Sequence, residues 1–347
     1  MRMPGWIRTS VSRASVYARI LALSVVIAFV CVAALALVFV VPVFFQPRHL
    51  ALPAGVRQMQ VPGDNDTILL IAAHPDDESL SAAGYLREAI RNHARVFVAI
   101  VTNGEASLIA ETLSQRTVLL TSSYYVQEGN ARRQESLRAL DSLGIASDHV
   151  YFLGYPTRGL RNLLFQNWPL TAPFRSKYTH ATRPAFDGSY DPQAVYAGQS
   201  VVADLVRIIQ DVRPTVILTH SRYDENEDHQ AVYYFVQKAF AQAAAQQHAL
   251  SATSTQEYYF LVHYRQYSFP GVASFRYALM PPADFAGGNA TWYDFELSSD
   301  DFDAKRSAMR EYKTQFINPY LKLLLDSFIK KNELFYRENN AAPVSGQ

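Results

Sequence analysis

From Thr67 onward the chain alternates short apolar runs with stretches of helical period. Thr67–Ala73 (TILLIAA) and Arg95–Thr102 (RVFVAIVT) are nearly continuous in apolar residues, the pattern of strands buried on both faces. Ser79–Arg91 and Gly129–Leu143 have helical period, the second with Leu137, Leu140 and Leu143 on one face. The alternation continues through a short strand at His149–Leu153, a helix at Ala194–Val212, a strand at Thr215–Thr219, a helix at His229–Ala245 and a strand at Tyr258–His263. Strand, helix, strand in this order predicts right-handed crossovers, and so an α/β, doubly wound, mostly parallel sheet with helices on both faces. Further on, Leu321, Leu324, Leu325 and Phe328 are at helical spacing, and residues 266–347 are expected to form a helical region packed on the sheet domain.

The N-terminal segment has a different pattern. Residues 1–19 carry Arg2, Arg8, Arg13 and Arg19, and Ile20–Phe45 contains no charge at all. That run predicts one transmembrane anchor over residues 20–45, and the arginines before it place the N-terminus in the cytoplasm and the bulk of the chain outside it. The run exceeds the ~7–15 residues of a signal-peptide core. Residues 46–64, with Pro47, Pro53, Gly55, Pro62 and Gly63, read as a linker to a catalytic domain over residues 65–265.

Charge and cysteine narrow the chemistry. With 32 Lys+Arg against 31 Asp+Glu there is no basic excess to hold nucleic acid. The single cysteine, Cys31, lies in the N-terminal apolar run, so a metal in the sheet domain must take nitrogen and oxygen ligands.

Two loops concentrate such ligands. "AAHPDDES", Ala72–Ser79, follows the first strand directly, and Pro75 disfavours the α region at His74, delaying the helix until the acids have passed. "THSRYDENEDH", Thr219–His229, follows a later strand and carries His220, Asp224, Glu225, Glu227, Asp228 and His229. In a doubly wound sheet the loops beyond the carboxyl ends of the strands gather the ligand site. Acids before a helix also have a purely structural use, since the helix N-terminus favours negative charge. Two His/Asp-rich loops at one sheet edge fit a divalent metal with an acid left over as general base. Asn103 and Glu105, after the second strand, are placed to line the same pocket. Arg132 or Arg133, with Glu135, either reaches substrate oxygens or forms an exposed i,i+3 pair on a helix. Asp228 either orients a metal-bound histidine or caps the helix at His229.

The segments "AHPDDE" (Ala73–Glu78), "VTNGE" (Val101–Glu105), "RRQESLRALDSLG" (Arg132–Gly144), "FLGYP" (Phe152–Pro156) and "DENEDHQAV" (Asp224–Val232) resemble, in order, those of the PIG-L/LmbE family of zinc-dependent deacetylases. The likeness extends through "EYKTQF" to "NELF" (Glu311–Phe335). It implies a Rossmann-like domain that removes the acetyl group from an N-acetylglucosamine-type sugar, in an envelope or lipid-linked glycan, by attack of a zinc-bound water. Carried over by position, His74, Asp77 and His229 are the zinc ligands and Asp76 is the general base. At one position the likeness breaks: the family's second motif opens on a histidine that stabilises the oxyanion or protonates the leaving amine, and here that position is Asn226. Asparagine donates a hydrogen bond but supplies no proton. Either Asp76 performs both transfers, or His220 fills the gap, or turnover is slow. Two other readings stand beside this one, an amidase acting on a sugar-containing thiol conjugate and a non-catalytic carbohydrate-binding protein that kept the fold.

Overall fold

The computed structural model describes residues 13–35, 52–106, 121–246, 255–265, 267–268, 272–288 and 290–339. The chain divides into an N-terminal unit, Met1–Arg48, and a sheet domain, His49–Gln347.

In the N-terminal unit the described element is helix α1, Arg13–Leu35. It does not match the anchor expected over residues 20–45. Among the described residues no helix is long and apolar enough to cross a membrane. Arg13 and Arg19 fall within α1, and its charge-free part, Ile20–Leu35, spans about 24 Å at 1.5 Å per residue against a hydrocarbon core of about 30 Å. Residues 36–45 of the expected span lie outside the described residues. The single-pass topology, the membrane as a partner and the extracytoplasmic placement of the domain all rest on that span and fall with it.

The sheet domain is built on eight strands in the order β1-β7-β8-β6-β5-β2-β3-β4. These are β1 Arg57–Gln58, β2 Thr67–Ala72, β3 Arg95–Thr102, β4 Val150–Tyr155, β5 Val216–His220, β6 Gln256–Phe260, β7 Ala290–Glu296 and β8 Asn332–Glu338. The run β4-β3-β2-β5-β6 is parallel throughout, and β8 pairs antiparallel with both β6 and β7. The helices are α2 Asp77–Arg91, α3 Ser122–Ser142, α4 Leu160–Phe165, α5 Gly198–Val212, α6 Glu227–Gln246, α7 Ser299–Met309, α8 Lys313–Phe316 and α9 Pro319–Ser327.

The period-2 geometry of β2 splits its side chains between two cores. Ile68, Leu70 and Ala72 join α2, the end of α3 and the C-terminal elements, through Leu86, Leu140, Phe302, Met309 and Phe335. Leu69, Ile71 and Ala73 face the opposite layer, against Leu163 of α4, Leu205 and Ile209 of α5 and Val232 and Phe235 of α6. This is the doubly wound arrangement the pattern predicts. Two boundaries differ from it. Residues 266–347 carry strands β7 and β8 as well as helices, so this region extends the sheet rather than only covering it. The expected linker over residues 46–64 is partly strand, because Arg57 and Gln58 pair with β7 and the Met59 amide donates to Asp294 O at 2.7 Å.

Candidate active site

All five strands of the parallel run end at one place. After β2 the chain leads to β3 and β4 on one side, while β5 and β6 lie on the other, so the crevice between β2 and β5 is the topological switch point. The loop after β2 brings His74, Asp76 and Asp77, and the loop after β5 brings Asp224, Asn226, Asp228 and His229. The loops after β3, β4 and β6 supply Gly104, Thr157 with Arg158, and His263. A cavity of about 250 Å³ opens there. Its lining is polar at His74, Asp76, Asp77, Arg132, Asn226 and Asp228 and apolar at Leu80, Leu321, Leu324 and Leu325.

The donor atoms at the floor form a triangle. His74 Nδ1 lies 3.1 Å from His229 Nε2, and Asp77 Oδ2 lies 3.4 Å from the first and 3.3 Å from the second. A tetrahedral zinc with nitrogen and oxygen donors at about 2.0–2.1 Å sets neighbouring donors about 3.3–3.4 Å apart, so the triangle fits such an ion. The other ring nitrogen of each histidine faces a carboxylate: His74 Nε2 is 3.2 Å from Asp228 Oδ2, and His229 Nδ1 is 3.2 Å from Asp224 Oδ1. Such carboxylates fix the tautomer and ring orientation of ligand histidines. Both are anchored in turn. Asp228 accepts from the Arg158 and Leu160 amides at 2.6 and 3.2 Å, and Asp224 from those of Val262 and His263 at 2.9 and 3.0 Å.

Charge follows this arrangement. Burial disfavours the ionised Asp77, yet His229 and His220 outweigh it and hold its carboxyl well below the usual range. Burial likewise opposes a charge on His229, and Asp77 with Asp224 overcomes it, raising its pKa well above the ordinary value. Asp76 shows the opposite balance: burial pushes it up to about 7, with Arg132 pulling down and Asp77 and Glu78 pushing up. Its backbone has φ 113, a conformation that L-residues rarely adopt and that persists only where surroundings enforce it. The enforcement is visible: the Asp76 amide donates to Glu78 Oε2 at 3.0 Å, and Arg132 Nη2 donates to Pro75 O at 2.5 Å and to Asp76 Oδ2 at 3.1 Å.

Of the other expected residues, Arg132, Asn226 and Asp228 line the cavity, whereas Asn103 and Glu105, expected to line it, do not, nor do Arg133, Glu135 and His220. Arg132 is buried and is not one half of a surface pair; its Nη1 also donates to Gly104 O at 2.6 Å. A Cβ on Gly104 would collide with that Nη1, and the backbone there has φ +67, so both space and conformation require glycine. Arg133 stacks over Phe152 and lines no part of the cavity. Glu135 accepts from the Thr314 amide. Glu105 accepts from the Thr157 amide and hydroxyl, joining the loops after β3 and β4, and Asn103 Nδ2 donates to Gly129 O. His220 lies behind Asp77, with Nε2 3.3 Å from its carboxylate and accepting from the Ala73 amide, outside the cavity wall. Asn226 lines the cavity and its Oδ1 accepts from the Asp228 amide at 2.9 Å, capping the first turn of α6.

Some members of the site are not evident from the motifs alone. Tyr312 donates to Glu78 and contacts Ser79 Oγ at 2.8 Å, Gln315 and the leucines of α9 line the cavity, and His263 turns into it. The segment "EYKTQF", which contains Tyr312 and Gln315, is the signal that could have found them.

A switch-point cavity with a His/His/Asp triangle and an adjacent buried acid is a donor set suited to a divalent metal. Residues 69–240 match the family described as PIG-L, GlcNAc-PI de-N-acetylase, and this part of the chain belongs to it. The chain is 30% identical over 161 residues to a 1D-myo-inositol 2-acetamido-2-deoxy-alpha-D-glucopyranoside deacetylase of Geodermatophilus obscurus, covering 46% of each. It thus spans about half the length of the curated relatives it matches. Among solved structures it is similar to N,N'-diacetylchitobiose deacetylase from Pyrococcus horikoshii, with 16% identity, 83% of this chain and 91% of that one covered, and a TM-score of 0.47. It is also similar to GalB, the 4-carboxy-2-hydroxymuconate hydratase from Pseudomonas putida, with 17% identity, 76% and 82% covered, and a TM-score of 0.45.

Proposed function

We propose that this protein is a zinc-dependent N-deacetylase acting on an N-acetylglucosamine-type sugar conjugate. The observation that carries the reading is the donor triangle, sized for a tetrahedral ion and backed by a carboxylate behind each histidine, with a second acid beside it. His74, Asp77 and His229 would hold the ion. Zinc bound there supplies Lewis acidity toward the acetyl carbonyl and makes water a nucleophile near neutral pH.

The remaining work falls to the chain's own groups. Asp76, raised to about 7, is matched to accept a proton at neutral pH, and Arg132 holds its carboxylate at the cavity wall. Asp76 takes a proton from the attacking water as oxygen adds to the acetyl carbon. When the C–N bond breaks, the same proton passes to the departing nitrogen, leaving acetate and the free amine. Asn226, whose Oδ1 is committed to the helix cap, keeps its amide NH2 for hydrogen bonding to the substrate.

The test is acetate release from N-acetylglucosamine and its glycosides by zinc-loaded protein, together with metal analysis. Asp76→Asn is expected to lower kcat by about 10²–10⁴-fold while leaving one zinc per chain. Unchanged acetate release in this variant, or no zinc in the purified wild type after reconstitution, overturns the reading.

A further inference from the structure

The position that opens the second motif is asparagine, which lines the cavity with its side-chain oxygen used as a helix cap, so it offers the reacting amide only its NH2 and leaves room for a second polar group in the cavity wall. His220 is excluded by its place: it is fully buried behind Asp77, with Nε2 occupied by the Ala73 amide. His263 is differently placed. It lines the same cavity as Asn226, and its ring centroid lies 5.2 Å from that of His229 at a tilt of 42°. No hydrogen bond to its ring nitrogens is found among the described residues, whereas its backbone is fixed at both ends. Its amide donates to Asp224 Oδ2 at 3.0 Å, and its carbonyl accepts from the Glu225 amide at 2.5 Å. The carboxylate that positions His263 is thus the one that stands behind His229. The backbone of His263 is thus held in place while its ring lines the cavity and leaves an N–H available to a bound substrate.

We propose that His263, reaching the cavity from the loop after β6, is a catalytic residue that donates a hydrogen bond to the oxygen of the tetrahedral intermediate, in place of the histidine that Asn226 replaces. The proposal rests on the deacetylase reading above. No proton need change hands in this role, since one ring N–H aimed at the developing oxyanion suffices. The leaving nitrogen still takes its proton from Asp76.

The test compares wild type, His263→Ala, His263→Gln and the double variant Asn226→His/His263→Ala in the full zinc-loaded chain. Three quantities are read: zinc content, kcat and KM for acetate release from N-acetylglucosamine, and calorimetric affinity for its methylphosphonamidate analogue, whose tetrahedral oxygens copy the intermediate. The expected result for His263→Ala is unchanged zinc content, a fall in kcat of about 10²–10³-fold with KM little altered, and a comparable loss in analogue affinity. His263→Gln, which keeps an N–H donor, should lose less on both measures, and it serves as the primary variant if the alanine form does not fold. Introducing histidine at 226 should restore at least part of both losses. If wild type releases acetate and binds the analogue while His263→Ala does both within about threefold of it, the inference is overturned and the deacetylase reading stands. If wild type neither releases acetate nor binds the analogue, both fall together.

Discussion

The helix that begins with the metal-site aspartate is broken one turn later, and its repair can be tested. Within α2, Ala82 has φ −145 and ψ 15, which interrupts the helical ladder. The backbone groups freed by the break meet a buried ion pair from the C-terminal region. Glu333 accepts from the Gly84 and Tyr85 amides at 2.9 and 2.8 Å, and Lys305 Nζ donates to Leu80 O and to Glu333, each at 2.8 Å. Both side chains are fully buried. Removing one member of such a pair costs about 3–5 kcal/mol, because the other charge is left uncompensated. Glu333→Ala should therefore destabilise the domain by at least about 4 kcal/mol, since two amides also lose their acceptor. The informative variant is Lys305→Met/Glu333→Leu. Replacing a buried ion pair by apolar residues of similar volume is often neutral or stabilising. Here it strands two amides and a carbonyl at about 1–3 kcal/mol each, so a loss of about 3 kcal/mol or more should persist. Urea unfolding of the full chain, followed by far-UV circular dichroism, measures both. A double variant within about 1 kcal/mol of wild type would refute the idea that the pair serves the broken backbone.

Two further outcomes follow from the site. Because Asp76 must be ionised to accept a proton and is held at about 7, kcat/KM should fall tenfold per unit as pH drops below that point. Bound zinc adds to the cation of Arg132 in lowering this value, so the acid limb should lie no higher than about 7, and Arg132→Met should move it upward; a downward move in the pH profile would contradict the assignment. Asp224→Ala removes the carboxylate behind His229 and the acceptor for two amides, and zinc affinity should weaken about 10–100-fold in competition with a chromogenic chelator.

The parts of the fold legible in the sequence are those whose cause is local. β2 and β3 are apolar on both faces, and the acids after β2 are too dense for a helix start alone, so strand and site can be read together. β7 and β8 escape such a reading because their pairing is mutual and long-range, Tyr293 opposite Phe335, while helical spacing dominates the sequence between them. Arg132 looks equally suited to a surface pair because its true partners, Asp76 and Gly104, are 56 and 28 positions away. His263 shows only a strand end, and its bearing on the cavity depends on Asp224 from another loop. The uncharged run near the N-terminus suggests an anchor, yet its described helical part is too short for the hydrocarbon core.

The stretch that belongs to the family ends at Phe240, within α6, and the cavity straddles that limit. The residues that would bind metal or move a proton all come from before it, whereas the apolar lining of Leu321, Leu324 and Leu325, with Gln315 and His263, comes from after it. The donor triangle is thus written wholly before that limit, and the α9 leucines that line the cavity, with His263, wholly after it. A family match confined to the first stretch therefore says nothing of those leucines, and comparing cavities between chains has to include the second.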